Sequence, residues 1–151
     1  MKIAKWYPLG GIFVIFIFDR ITKSWALGLL NQKNINPFLS FDLAFNRGIN
    51  WGLFHSDKTI TFAILNSIIV LIIGMLVYKI IKSLQRGKLD LGYTLIAAGA
   101  FSNLWDRLMY GGVIDFIILQ WSRWSWPAFN IADAMIITGI GLVMIDLYKN
   151  K

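Results

Sequence analysis

The sequence has no cysteine and no glutamate, and only one histidine and three prolines in 151 residues. Without cysteine there is no disulfide framework, no thiol nucleophile and no position at which the chain itself could carry a lipid thioether. A lone His55 cannot build a metal cluster, and the sequence offers no phosphate loop and no Ser-His-Asp order. Charge is scarce too, at 15% of residues against about a quarter in soluble domains. All eight carboxylates are aspartates, so hydrolytic chemistry would have to come from them.

What is present is apolar. Hydrophobic residues make up 57% of the chain, more than a water-soluble globule of this size could cover with a polar shell. The same composition excludes disordered and low-complexity classes. A net charge of +7 would suit a nucleic-acid binder, but the cations sit in short clusters between apolar runs and form no single solvated face. No nucleic-acid partner is expected. Residues 1–151 read as a single membrane domain, with no internal repeat and no linker.

Thr59 to Tyr78 is the clearest span, 20 residues without a formal charge. At about 1.5 Å per residue that covers the roughly 30 Å hydrocarbon layer. The first apolar run, Trp6 to Phe18, must continue past Asp19, Arg20 and Lys23 to cross. A cleavable signal peptide is the competing reading of that segment, but the charges and Trp25 suit a cleavage region poorly. Leu91 to Trp105 and Ala134 to Ile145 are 15 and 12 uncharged residues, so each helix is expected to run on through its terminal polar groups. The fold class expected is all-α, with four transmembrane helices near 8–30, 59–81, 90–109 and 131–148. Outer loops would cover 31–58 and 110–130. In the first, Phe41, Leu43 and Phe45 alternate with polar or small residues, which predicts a short strand. Trp51 to Phe54 reads as an amphipathic tip on the membrane surface.

Eight cations (Lys2, Lys5, Lys79, Lys82, Arg86, Lys88, Lys149 and Lys151) share one side of such a bundle. Lys33, Arg47, Lys58 and Arg123 lie on the other. The positive-inside rule then puts both termini in the cytoplasm, with the inner cations attracting anionic lipid.

The polar residues fall toward the outer side. Ionisable groups at membrane depth are costly and are candidates for function. Asp19, Asp106, Asp115 and Asp133 would gather there. Two adjacent carboxyls cannot both ionise, so one can act as acid and the other as base on a water molecule. Asp115 and Asp133 are the best-placed pair, at the outer ends of the third and fourth helices. Blander readings exist: Asp133 and Asn130 could serve only the helix N-terminus, and Asp115 only a turn. Asp106 and Arg107 are helix neighbours and need different partners, with Asp19 a candidate for Arg107. Lys23 should pair with an acid or a lipid headgroup, Asn66 should hydrogen-bond between helices, and His55 should be interfacial. Asp42, Asp57, Asp90 and Asp146 read as solvated or interfacial.

Five blocks then stand together: Asp19-Arg20-Ile21-Thr22-Lys23, Asn46-Arg47-Gly48, Asn103-Leu104-Trp105-Asp106-Arg107, Val113-Ile114-Asp115-Phe116, and Pro127 through Asp133. In order and spacing they resemble bacterial lipoprotein signal peptidase, signal peptidase II, over residues 8 to 148. The resemblance implies an intramembrane aspartyl protease of the bacterial inner membrane that cuts prolipoproteins just before a diacylglyceryl-modified cysteine. It implies catalysis by Asp115 and Asp133 without metal or organic cofactor. Asn46, Gly48, Asn103, Arg107, Asn130, Asp19, Lys23 and Asp106 would bind substrate or support the site. The partners implied are lipidated prolipoprotein and membrane phospholipid, and a monomer is expected. Three features depart from the family pattern: Ile49-Asn50, Ser102 where glycine is usual, and Ala134 where serine is usual.

Two other classes compete. A small proton-coupled transporter or channel subunit could use the same carboxylates as a relay, although no inverted repeat supports it. A non-catalytic scaffold would tolerate loss of both aspartates.

Overall fold

The structure is a computed structural model and describes residues 7–29, 33–48, 59–88 and 90–149. Four helices and a small antiparallel sheet alternate along the chain. The order is α1 (Tyr7–Leu27), β1 (Lys33–Asn36), β2 (Leu39–Asn46), α2 (Thr59–Gln85), α3 (Leu91–Tyr110), β3 (Val113–Trp121), β4 (Trp124–Ser125) and α4 (Ile131–Lys149). The Trp51–Phe54 tip, His55, Ile49, Asn50, Asp57 and the N-terminal lysines lie outside the described residues.

The helix bounds differ from the sequence expectation where caps, not charges, end them. α2 runs through Lys79 and Lys82 to Gln85 and stops at Gly87, whose φ of 72° few other residues adopt. Lys88 N donates to Ser83 O and Gly87 N to Leu84 O, the pair of bonds that closes a Schellman turn. Asp90 then caps α3, accepting from Tyr93 N, so it is a structural residue and not merely a solvated one. α3 closes on Gly111, also at φ 72°, with Gly111 N donating to Arg107 O.

The segments between α1 and α2 and between α3 and α4 hold more strand than periodicity revealed. β2 begins at Leu39 and pairs with β1 on one side and β3 on the other, and β4 folds back on β3. β3 was missed in the 110–130 segment because both faces of its first half are buried, which removes the polar alternation of a half-exposed strand. β2 carries an irregularity between Phe41 and Ala44, so Phe41 and Leu43 join the core while Phe45 is exposed. Beyond β4 the chain returns beside β3: Phe129 exchanges backbone bonds with Ile117 at 2.9 and 3.0 Å. That return leads Asn130 and α4 back to the middle of the molecule.

Burial is reversed relative to a water-soluble domain. Asp19, Lys23, Ser102, Asp106, Asp115 and Asn130 are all at most 1% exposed, while Ile60, Leu71 and Met75 of α2 are more than 60% exposed. Apolar surface of this extent belongs in lipid, and buried charge demands partners. α2 and α4 are each long and apolar enough to cross a membrane. Trp25 of α1 does not face outward alone: it packs edge-on against Phe41 and Phe116 and joins the helix to the sheet. α3 and α4 approach backbone to backbone at Gly92, Gly99 and Gly139; a Cβ on Gly99 would stand 2.5 Å from Ala132 O.

Candidate active site

The close contact of α3 with the first turn of α4 brings Asn103 beside Asp133, and Asn103 Nδ2 donates to Asp133 Oδ1 at 2.8 Å. β3 delivers Asp115 from the opposite side, opposite Ala44 of β2. Asn130 stands between them. Its Nδ2 donates to Asp115 Oδ1 at 2.7 Å, while its backbone N donates to Asp133 Oδ2 at 3.2 Å. Asp133 N in turn donates to Asn130 Oδ1 at 2.9 Å, a reciprocal capping box at the start of α4. Asn130 therefore caps the helix and links the two carboxyls at once. Asn46, at the end of β2, donates to Asp115 Oδ2 at 3.1 Å and holds Gly48 N through its Oδ1. One of the two Asn46 Nδ2 hydrogens is thus engaged with Asp115.

Behind this pair lies a cluster of buried charges. Lys23 Nζ donates to Asp19 Oδ2 at 2.9 Å, Asp106 Oδ2 at 2.7 Å and Asn103 Oδ1 at 2.8 Å. Because Asn103 Oδ1 accepts from Lys23, and also from Asn130 Nδ2, its amino group must point at Asp133. Asp19 also accepts from Ala132 N at 2.9 Å, tying α1 to the start of α4. Lys23 pairs with two acids, in keeping with its sequence reading.

Arg20 and Ser102 belong to the same cluster, and sequence reasoning missed Arg20. Arg20 Nη1 donates to Asp106 Oδ1, and Nη2 reaches Asp19 Oδ2 at 2.9 Å and Ser102 Oγ at 2.8 Å. Ser102 Oγ donates to Asp19 Oδ2 at 2.6 Å. The available signal was charge balance: two buried acids with only Lys23 between them call for a second cation. Arg107 does not take Asp19. It donates to the carbonyls of Arg47 and Gly48, fixing the turn after β2 to the end of α3. Asn66 Oδ1 is buried without a hydrogen-bond partner, contrary to its expected role between helices.

Asp115 is 1% exposed, and burial followed by the neighbouring Asp133 charge pushes its carboxyl up to about 7. Each aspartate opens on its own cavity. Asp115 lines one of about 480 Å³ with Asn46, Trp124, Trp126 and Pro127. Asp133 lines one of about 250 Å³ with Asn103, Arg107, Ile69 and Ile137. Among the described residues no group of three or more His, Cys, Asp or Glu side chains is placed to hold a metal ion.

The sequence model described as Signal peptidase (SPase) II matches residues 11–149. The chain belongs to the signal peptidase II family. Relatives in that family include the lipoprotein signal peptidase of Thermodesulfovibrio yellowstonii, 40% identical over 92% of this chain and 90% of that one. The lipoprotein signal peptidase of Pelagibacter ubique is 37% identical over 93% and 87% of the two chains. That of Aquifex aeolicus is 36% identical over 100% and 91%. A solved bacterial membrane enzyme superposes with a TM-score of 0.78 at 31% identity, covering 95% of this chain and 88% of the other. A second, at 29% identity, has a TM-score of 0.77 over 96% and 94%. A membrane peptidase family accounts for the reversed burial, and it leaves the transporter reading without support.

Proposed function

We propose that the chain cleaves signal peptides from diacylglyceryl-modified prolipoproteins just before the lipidated cysteine, with Asp115 and Asp133 as the catalytic pair. The observation that carries this reading is the Asn130 bridge, which holds two buried carboxyls in one hydrogen-bonded unit between two cavities. One carboxyl keeps a proton and the other takes one from water, whose oxygen attacks the peptide carbonyl carbon. The protonated partner gives its proton to the carbonyl oxygen. When the tetrahedral intermediate collapses, the C–N bond breaks, the leaving amine takes a proton from one carboxyl, and a hydroxyl of the intermediate returns a proton to the other, so the pair again holds one. The two carboxyls titrate as a unit.

The signal segment occupies the apolar cavity beside Asp133, and the cysteine side emerges past Asp115 under Trp124 and Trp126. In this reading all four helices span the bacterial inner membrane, both termini are cytoplasmic, and the sheet faces the periplasm. Membrane phospholipid surrounds the exposed helix faces, and the working unit is a monomer. Asn46, Gly48, Asn103, Arg107 and Asn130 shape the site, while Asp19, Lys23 and Asp106 support it from behind.

The experiment is cleavage of a lipidated prolipoprotein by detergent-purified protein, with no membrane gradient. Asp115→Asn and Asp133→Asn should each lower kcat by at least roughly 10²–10⁴-fold. Cleavage at the wild-type rate by either variant removes that residue from the pair.

A further inference from the structure

A second cavity system lies at the opposite end of α3 from the aspartates, in the angle between the end of α2 and the start of α3. It measures about 530 Å³ and is lined by Lys79, Lys82, Arg86 and Lys88 together with Tyr78 and Tyr93. Topology alone asks only for cations near this loop; it does not ask that they ring a concavity. Three observations indicate that they do more.

First, four cations line the cavity beside a single carboxylate. Among the described residues no ion pair involves Lys79, Lys82, Arg86 or Lys88, and the ion pairs of Asp19 and Asp106 lie at the far end. The one carboxylate in the wall, Asp90, faces its own helix and accepts from Tyr93 N. Second, two of the cations are held in place. Lys79 Nζ bonds Tyr93 Oη at 3.2 Å and stands 4.8 Å from that ring, while Lys82 lies over the Tyr78 ring at 5.6 Å. The Gly87 turn, braced by Ser83 Oγ donating to Lys88 O, fixes the backbone that carries Arg86 and Lys88. Third, the cavity adjoins lipid-type surface. Val77, Ile81 and Leu91 beside it are exposed, and tyrosines at the end of an apolar span mark a headgroup level.

We propose that this cavity binds the phosphate of an anionic phospholipid, with the headgroup among the four cations and the acyl chains along the exposed faces of α2 and α3. The chemistry shared with a free phosphate ion is a compact oxyanion; the apolar surround is what favours the lipid. Basic recesses between membrane helices recognise headgroups in this way. The site is remote from Asp115 and Asp133 and does not depend on the peptidase mechanism.

The test is titration of detergent-purified full chain with dioleoyl phosphatidylglycerol, dioleoyl phosphatidylcholine or inorganic phosphate, read by native mass spectrometry. Phosphatidylglycerol should bind far more tightly than phosphatidylcholine, and inorganic phosphate at the same concentration should not displace it. The triple variant Lys79→Gln, Lys82→Gln, Arg86→Gln should weaken phosphatidylglycerol by about a hundredfold, at near 1 kcal/mol per cation. Lys149→Gln should change it less than about twofold, and Lys79→Arg with Lys82→Arg should retain it. Equal binding of the two lipids, an unaffected triple variant, or displacement by inorganic phosphate would each overturn the proposal.

Discussion

At the scale of single residues, the site is a set of amides that decide where protons and charges sit. Asn130 has two separable jobs, and Asn130→Ser separates them. Serine caps a helix about as well as asparagine, so any loss of thermal stability should come from the buried Nδ2 bonds to Asn103, Ile114 and Asp115, about 1–3 kcal/mol. The Nδ2 donor to Asp115 is lost, so kcat on lipidated substrate should fall at least about tenfold, a loss of about 1.4 kcal/mol in transition-state stabilisation. Equal kcat would reduce Asn130 to a cap. Ser102 makes the converse case. Ser102→Ala deletes a hydroxyl bonded to both Asp19 and Arg20, costing about 1.5–3 kcal/mol in thermal unfolding while leaving most activity, since it touches neither Asp115 nor Asp133. Asp115 sets the pH response. Its carboxyl is raised from 3.8 to about 7, so the folded chain holds that proton more tightly than the unfolded chain does. Its contribution is therefore most favourable in acid and is lost as pH climbs through about 7, and Asp115→Asn should flatten that part of the stability curve. Cleavage should decline over the same alkaline limb, seen as kcat/KM against pH, as the pair loses its shared proton.

At the scale of elements, the α3–α4 contact governs the active geometry. Asn103 lies one turn beyond Gly99, and the Cβ that Gly99 lacks would collide with the backbone of Ala132, next to Asp133. Gly99→Ala should lower the melting temperature and the cleavage rate together. Gly74→Ala, in α2 with nothing within 4 Å, should leave both unchanged or slightly improved. The helices themselves were legible from apolar runs and their flanking charges. Most of their ends fall within a residue of expectation, but α1 stops at Leu27, short of 30, and α2 runs past 81 because the charges at Lys79 and Lys82 do not stop a helix whose backbone is capped only at Gly87. β2 was partly legible from its alternation, but β3 was hidden by burial on both sides.

At the scale of the whole molecule, charge is sorted in two ways. Asp19 and Asp106 pair with Arg20 and Lys23 in a buried cluster near the sheet, and the basic cavity at the other end gathers four cations beside one carboxylate. If that end is cytoplasmic, single cysteines will report it, helped by the absence of any native thiol. Ser122→Cys, on the exposed turn between β3 and β4, should react with an impermeant maleimide on intact spheroplasts. Arg86→Cys should react only after permeabilisation. The reverse pattern would invert the topology.

The sequence by itself determined the class of environment and the type of chemistry. Composition is a sum over residues, so excess apolar content and the lack of thiol or histidine partners need no coordinates to interpret. The motif order also identified Asp115 and Asp133 as the candidate pair. Only the tertiary structure decided which donors each carboxyl receives. Arg20 was overlooked because helix spacing directs it away from its neighbour Asp19, whereas its long side chain reaches back across a buried gap to Asp19, Ser102 and Asp106. Arg107 took backbone carbonyls over Asp19 for the same kind of reason. Partner choice among buried polar groups depends on distances between elements far apart in the chain, and local patterning carries no measure of those distances.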